Sequence, residues 1–234
     1  MNAPRLILFD IDGTLVLTGG AGGRAMTHAF EELFGAADAM QSQSMAGRTD
    51  AWILSDAATA HGIPADHSNL TRFPEVYFRH LHRELNQAAP PGKRNGIMPG
   101  VRELLDALAK RDDAYLALLT GNYETSAQMK LERFDLWRYF KCGAFGDNAP
   151  DRNGLLPRAL ARVRTRDGLE IAAAHAIVIG DTPLDVACAQ ASGARSIGVA
   201  TGGHTVDELR AAGADVVFED LSDTNEVIAA LGIG

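Results

Sequence analysis

Leu6-Ile7-Leu8-Phe9-Asp10-Ile11-Asp12-Gly13-Thr14-Leu15 is the stretch that decides the fold. Four consecutive apolar residues, with no polar alternation, suit a strand covered on both faces, as in the middle of a parallel sheet. The run stops at two aspartates and a glycine, residues that favour a turn. Outward from it, the same texture returns at residues 115–119, 176–179, 196–199 and 216–218. Helical spacing lies between these runs. Val101, Leu104, Leu105 and Leu108 mark one face of a helix over 101–111. Residues 183–192, with Pro183 at the start, and 206–212 read the same way. Alternating strands and helices predict an α/β chain with a Rossmann-like, doubly wound parallel sheet.

Residues 19–97 break that rhythm. Segments 24–34, 50–61 and 70–87 have helical character and no clear strand lies among them. Pro90-Pro91-Gly92 and Asn95-Gly96 then mark a loop back to the sheet. This predicts a core of residues 1–17 and 98–234 with an α-helical cap inserted over 18–97. Gly19-Gly20-Ala21-Gly22-Gly23 reads as a hinge, since it lacks the Lys-Ser/Thr ending of a P-loop. Asn95-Gly96 is a second candidate hinge.

Composition narrows the partners. Hydrophobic residues at 46% suffice for a globular core, and a formal net charge of -8 argues against nucleic acid or an anionic membrane as partner. A small phosphorylated metabolite remains compatible, because binding it needs local donors and a metal, not a basic surface. No apolar run approaches the ~18 residues that span a bilayer, and the N-terminus lacks the pattern of a signal peptide. Cys142 and Cys188 have no metal-like spacing and read as reduced thiols of a cytoplasmic protein.

The chemistry gathers at strand ends. The first run ends in Asp10, Asp12 and Thr14, the second in Thr120-Gly121-Asn122, and the third in Gly180-Asp181-Thr182 followed by Asp185. In open parallel sheets the crevice beyond the carboxyl ends of the strands is the usual ligand site, so these residues converge if the sheet forms. Crowded carboxylates raise one another's pKa unless a cation intervenes. A hard ion such as Mg2+ suits an all-oxygen set and also takes phosphate oxygens. One carboxylate can then attack phosphorus, and a second can serve the leaving group as acid and the attacking water as base.

Asp10-Ile11-Asp12-Gly13-Thr14-Leu15 after an apolar strand resembles the first signature of the haloacid dehalogenase superfamily of phosphatases. Thr120-Gly121-Asn122 resembles its second motif, and Gly180-Asp181-Thr182-Pro183-Leu184-Asp185 its fourth. The helical insertion resembles the cap of the phosphoglycolate phosphatase-like branch. The resemblance implies a Mg2+-dependent hydrolase with Asp10 as nucleophile and metal ligand. Asp12 would be the general acid/base, with its backbone carbonyl on the metal. Thr120 and Gly121, with Asn122 and Thr14 nearby, would surround the phosphoryl group, while Asp181 and Asp185 would complete the metal set. The family also places a lysine about thirty residues after the second motif. Here Ala149-Pro150-Asp151-Arg152-Asn153-Gly154 stands in its place, so the charge would fall to Arg152 or to Lys130. Arg48, in Gly47-Arg48-Thr49-Asp50 at the start of a cap helix, would meet an anionic part of the leaving group, with Thr49 or Asp50 as N-cap. Two rivals share the scaffold. A phosphosugar mutase would return the phosphoryl group to its substrate, and a non-catalytic binding protein would be expected to have lost Asp10, Asp12 or Asp181.

Overall fold

The computed structural model describes residues 4–40, 43–149 and 151–233. Pro150, part of the stretch that departs from the family's lysine motif, lies outside the described residues. In chain order the strands are β1 (Arg5–Phe9), β2 (Val16–Thr18), β3 (Asn95–Ile97), β4 (Ala114–Leu119), β5 (Cys142–Ala144), β6 (Ala176–Gly180), β7 (Arg195–Val199) and β8 (Val216–Phe218). The helices are α1 (Ala21–Phe34), α2 (Asp50–Ala60), α3 (Ser68–Leu85), α4 (Val101–Leu108), α5 (Glu124–Glu132), α6 (Leu155–Asp167), α7 (Pro183–Ala191), α8 (Val206–Ala211) and α9 (Thr224–Leu231).

Six strands form one parallel sheet in the order β5-β4-β1-β6-β7-β8. The α/β reading of the sequence is thus realised. β1 is central, and the apolar run explains why. Ile7 and Phe9 belong to the core on one face, with Leu116, Leu118, Ile177 and Ile179 of the neighbouring strands. Leu6 and Leu8 belong to the core on the other, with Ala117, Leu119 and Val178. Neither face meets water, so no polar residue is admitted along the run. From β1 the chain moves outward through β4 and β5, then returns to the opposite side of β1 with β6. The order therefore reverses beside β1, and the loops after β1 and β6 open on one crevice.

α1, α2 and α3 pack around a separate apolar cluster that includes Met26, Phe30, Ile53, Phe73, Tyr77 and Leu81. The chain enters and leaves this helical unit through β2 and β3. These two pair antiparallel, Val16 with Ile97, Leu17 with Gly96 and Thr18 with Asn95. β3 therefore lies in a segment where the sequence suggested no strand. The two predicted hinges also change character. Gly19 and Gly20 adopt positive φ, but Gly22 and Gly23 are already the first turn of α1, and Asn95-Gly96 belongs to the paired ribbon. No helix among the described residues is long and apolar enough to cross a membrane.

Candidate active site

The loops after β1, β4, β6 and β7 meet at the carboxyl end of the sheet, under α1, α2 and α3. Between them lies a cavity of about 430 Å³, lined among others by Asp10, Asp12, Thr120, Lys130, Arg152 and Asp181.

The Asp10 side is a buried acid cluster. Asp10 follows β1 and anchors its own N–H on the Ile179 carbonyl at 2.9 Å. Asp181 follows β6, and Asp185 sits in the first turn of α7. One carboxylate oxygen from each of Asp10, Asp181 and Asp185 lies within 4.8 Å of the other two, and all three side chains are buried. Thr14 Oγ1 donates to Asp181 Oδ1 at 3.1 Å. Gly13 makes this packing possible: its φ is +89°, and a Cβ there would stand 2.5 Å from Asp181 Oδ2. Asp185 forms a reciprocal capping box with Thr182, whose N–H and hydroxyl donate to Asp185 Oδ2 at 3.0 and 2.7 Å.

Among the described residues, Arg152 is the cation that pairs with this cluster. Arg152 is buried, with Nη2 at 3.0 Å from Asp10 Oδ1 and also paired with Asp185. The same guanidinium donates to the Leu119 carbonyl at 3.2 Å and, through Nη1, to the Gly47 carbonyl at 3.1 Å. Burial raises the Asp10 pKa from 3.8 to about 6 against the pull of Arg152, with Asp185 and Asp12 pushing it further up. Asp181 is raised well above its ordinary value by burial and then by Asp185 and Asp10, while the Thr14 bond opposes the shift. Three carboxylates around one guanidinium, all oxygen donors within a few ångströms, are a donor set that fits a hard divalent ion.

The Asp12 side is a hydrogen-bonded network. Lys130, on α5, is buried and donates to Asp12 Oδ2 and Asn122 Oδ1, both at 2.6 Å. Asn122 Nδ2 donates to Asp12 Oδ2 at 2.9 Å and to Thr120 Oγ1 at 2.8 Å. The ammonium fixes the amide's orientation, since the flipped amide would set NH2 against NH3+. Thr120 Oγ1 accepts from Asn122 Nδ2 and, at 3.4 Å, from the Asn122 N–H, which leaves its own O–H as a donor. The Asp12 side chain stays 41% exposed towards the cavity.

The sequence posed Arg152 and Lys130 as alternatives for one missing charge. The structure brings both to the site, Arg152 to Asp10 and Lys130 to Asp12. Asn122 sits within the network bridging Lys130, Asp12 and Thr120. Thr14, expected near the substrate, is fully buried with its hydroxyl on Asp181. The Asp12 carboxylate is not part of the three-carboxylate group. Arg48 lines the cavity, paired with Asp56, donating to the Ser44 carbonyl at 3.1 Å and lying 4.2 Å over the Trp52 ring. Thr49 is the N-cap of α2, accepting from Trp52 N–H at 3.1 Å.

Sequence reasoning missed two charged residues of the lining. Asp50, which it read as a possible cap, is a buried carboxylate in the first turn of α2. Arg94, just before β3, donates from Nη1 to the Thr201 carbonyl at 3.3 Å and lines the cavity beside it. No local pattern announced Arg94; a loop basic residue gives no sign of where the loop will lie.

Residues 7–199 match the family model described as haloacid dehalogenase-like hydrolase. The chain belongs to the haloacid dehalogenase-like hydrolase family. A relative from Pseudomonas fluorescens (strain Pf0-1), named phosphoglycolate phosphatase, is 28% identical over 218 residues, covering 93% of this chain and 77% of its own. The crystal structure of a hydrolase from Pseudomonas syringae shares the fold at a TM-score of 0.70 and 22% identity, over 97% of this chain and 98% of its own. CbbY from Rhodobacter sphaeroides, crystallised with phosphate, aligns at a TM-score of 0.67 and 18% identity, over 94% and 96% of the two chains. Within this haloacid dehalogenase-like hydrolase, the two acid groups and the Thr120 loop occupy the crevice at the reversal of strand order, where the fold holds its ligands.

Proposed function

We propose that this hydrolase is a Mg2+-dependent phosphatase acting on a small phosphate monoester through an aspartyl-phosphate on Asp10. The observation that carries this reading is the convergence of Asp10, Asp181 and Asp185 within 4.8 Å, at a cavity that also presents Asp12 and Thr120. Asp10, Asp181 and Asp185 would hold the ion, with the Asp12 carbonyl. Magnesium supplies charge neutralisation for the phosphoryl oxygens when bound.

The chain's own groups divide the work. An Asp10 oxygen attacks phosphorus, and the bond from phosphorus to the leaving oxygen breaks in line with it. Arg152 holds Asp10 in place and offsets charge beside it. Thr120 O–H and the Gly121 N–H would donate to the phosphoryl oxygens. Asp12, the more exposed carboxyl, gives its proton to the leaving alkoxide. It then takes a proton from the water that attacks phosphorus, releasing inorganic phosphate and restoring Asp10. Residues 18–97 would act as a cap that keeps bulk water out while the acyl-phosphate lasts. The names carried by the sequence relatives support the phosphatase reading, and the acidic net charge with a bounded cavity supports a small metabolite as substrate.

The test is phosphate release from an aryl phosphate with Mg2+ and with EDTA. Turnover is expected only with metal, and Asp10→Asn is expected to lower it by roughly 10^5-fold. Asp10→Asn enzyme with near-normal turnover would refute the nucleophile. Isomer formation from a hexose phosphate, with no free phosphate, would make the protein a mutase.

A further inference from the structure

Asp50, a carboxylate of the helical unit, reaches into the loop after β4. It occupies the first turn of α2 and is 7% exposed. Its backbone N–H donates to the Gly121 carbonyl at 2.7 Å. Its Oδ2 accepts from the Tyr123 N–H at 2.9 Å and from Ser126 Oγ at 3.3 Å. One residue of the cap thus holds the Gly121 carbonyl in the middle of the Thr120–Asn122 turn and the Tyr123 N–H where that turn passes into α5. Tyr123, the N-cap of α5, offers no side-chain cap of its own; Asp50 meets the Tyr123 N–H, and Asp147 Oδ2 accepts from the next, the Glu124 N–H, at 3.0 Å. α5 in turn carries Lys130, which grips Asp12 and Asn122. The approach is tight: a Cβ on Gly121 would stand 2.0 Å from the Arg48 carbonyl, so the loop seats on the cap backbone with no side chain between.

We propose that Asp50 is a positioning residue of the reaction. Docked from the cap, it sets the Thr120–Asn122 turn and the start of α5, so that the phosphoryl donors and the Lys130–Asp12 pair reach working geometry only with the cap down. Cap closure and assembly of the acid/base side become one event. A loose turn misplaces donors by fractions of an ångström, which costs rate more than it costs ground-state binding. This rests on the phosphatase reading for its kinetic arm, and has a second arm that does not.

The experiment compares wild type, Asp50→Asn and Asp50→Ala. Kinetics use an aryl phosphate at saturating Mg2+; amide hydrogen exchange follows residues 120–126 with inorganic phosphate present. Asp50→Ala is expected to lower kcat about 30-fold with KM changed by less than about threefold, and to speed exchange across 120–126. Asp50→Asn keeps an acceptor for the Tyr123 N–H and is expected to recover most of kcat and the wild-type exchange. The inference is overturned if Asp50→Ala keeps wild-type kcat, if exchange over 120–126 is unchanged in it, or if Asp50→Asn is as impaired as Asp50→Ala. Should Asp50→Ala fail to fold, Asp50→Ser carries the test: its hydroxyl ends one bond short of the carboxylate oxygen that accepts from the Tyr123 N–H, and wild-type kcat with wild-type exchange over 120–126 in that variant would overturn the proposal. If wild type releases no phosphate, the proposed reaction fails, while exchange still decides whether Asp50 holds the turn.

Discussion

Asp10 and Asp12 stand two residues apart, yet their surroundings have opposite designs. Around Asp10, three buried carboxylates share one guanidinium, and desolvation and mutual repulsion drive Asp10 and Asp181 towards the neutral form. Around Asp12, an ammonium, an amide and a hydroxyl are matched donor to acceptor, and the carboxylate itself keeps access to the cavity. The first arrangement is left short of positive charge and suits a site completed by an ion. The second is complete in its own hydrogen bonds and suits a group that must exchange a proton with whatever enters. Under the proposed reaction, metal binding and attack on phosphorus would fall to the Asp10 side and proton transfer to the Asp12 side.

The largest expected break of this contrast is Asp181→Asn. Removing one of three charges should raise the Mg2+ concentration for half-maximal turnover by roughly 100-fold. The same change should raise the melting temperature of the metal-free protein, because it relieves a crowded, buried carboxylate group. Metal titration and thermal melts measured together would check both. A melting temperature that falls in the metal-free protein would mean that the cluster is not short of positive charge.

The contrast was only half legible in the sequence. The Asp10 side was readable because its carboxylates lie at the ends of apolar runs, where fold rules dictate convergence. Lys130 was legible only as an alternative to Arg152, and its place beside Asp12 was not, because α5 buries a polar face of Ser126 and Lys130 alongside Ala127 and Leu131, so no apolar stripe marks which side faces inward. Asp50 likewise has a local signature, a helix start, that says nothing of a partner 73 residues away. In the fold, the strands that carry apolar runs were legible, the three-residue Val216–Phe218 among them, and those without such runs were not. Cys142–Ala144 and Asn95–Ile97 are strands by pairing alone, since neither carries an apolar run. They are fixed by the neighbours they meet after folding, which a window along the chain does not contain.

A smaller effect separates charge from reach at Arg152. Arg152→Lys keeps a cation near Asp10 but loses the planar fork that also bonds the Leu119 and Gly47 carbonyls. Lower turnover by about 5-fold is expected, with Mg2+ affinity nearly unchanged, against a loss of about 50-fold for Arg152→Met, which strips the cluster of the guanidinium paired with Asp10 and Asp185. Equal losses in the two variants would mean that the fork, and not the charge, is what Asp10 requires.

The smallest effect concerns stability and sharpens the Asp12 side. Burial raises the Asp50 pKa from 3.8 to about 6, against the opposing pull of Lys130 and the Tyr123 N–H. A carboxyl with a raised folded pKa binds more protons folded than unfolded between pH 4 and 6, so stability falls as pH rises through that window. Above about pH 6 the full penalty is present; below about pH 4 both states are protonated and it vanishes. Asp50→Asn carries no charge to desolvate, so it should be more stable than wild type at pH 7.5, by at most about 3 kcal/mol. The gap should close as pH falls from 6 to 4. Denaturant melts of the two proteins at pH 4, 5, 6 and 7.5 measure it directly. A gap of opposite sign at pH 7.5 would mean that Lys130 holds Asp50 as strongly as Asp12, and that the lysine serves the two carboxylates as one charge-balanced triad.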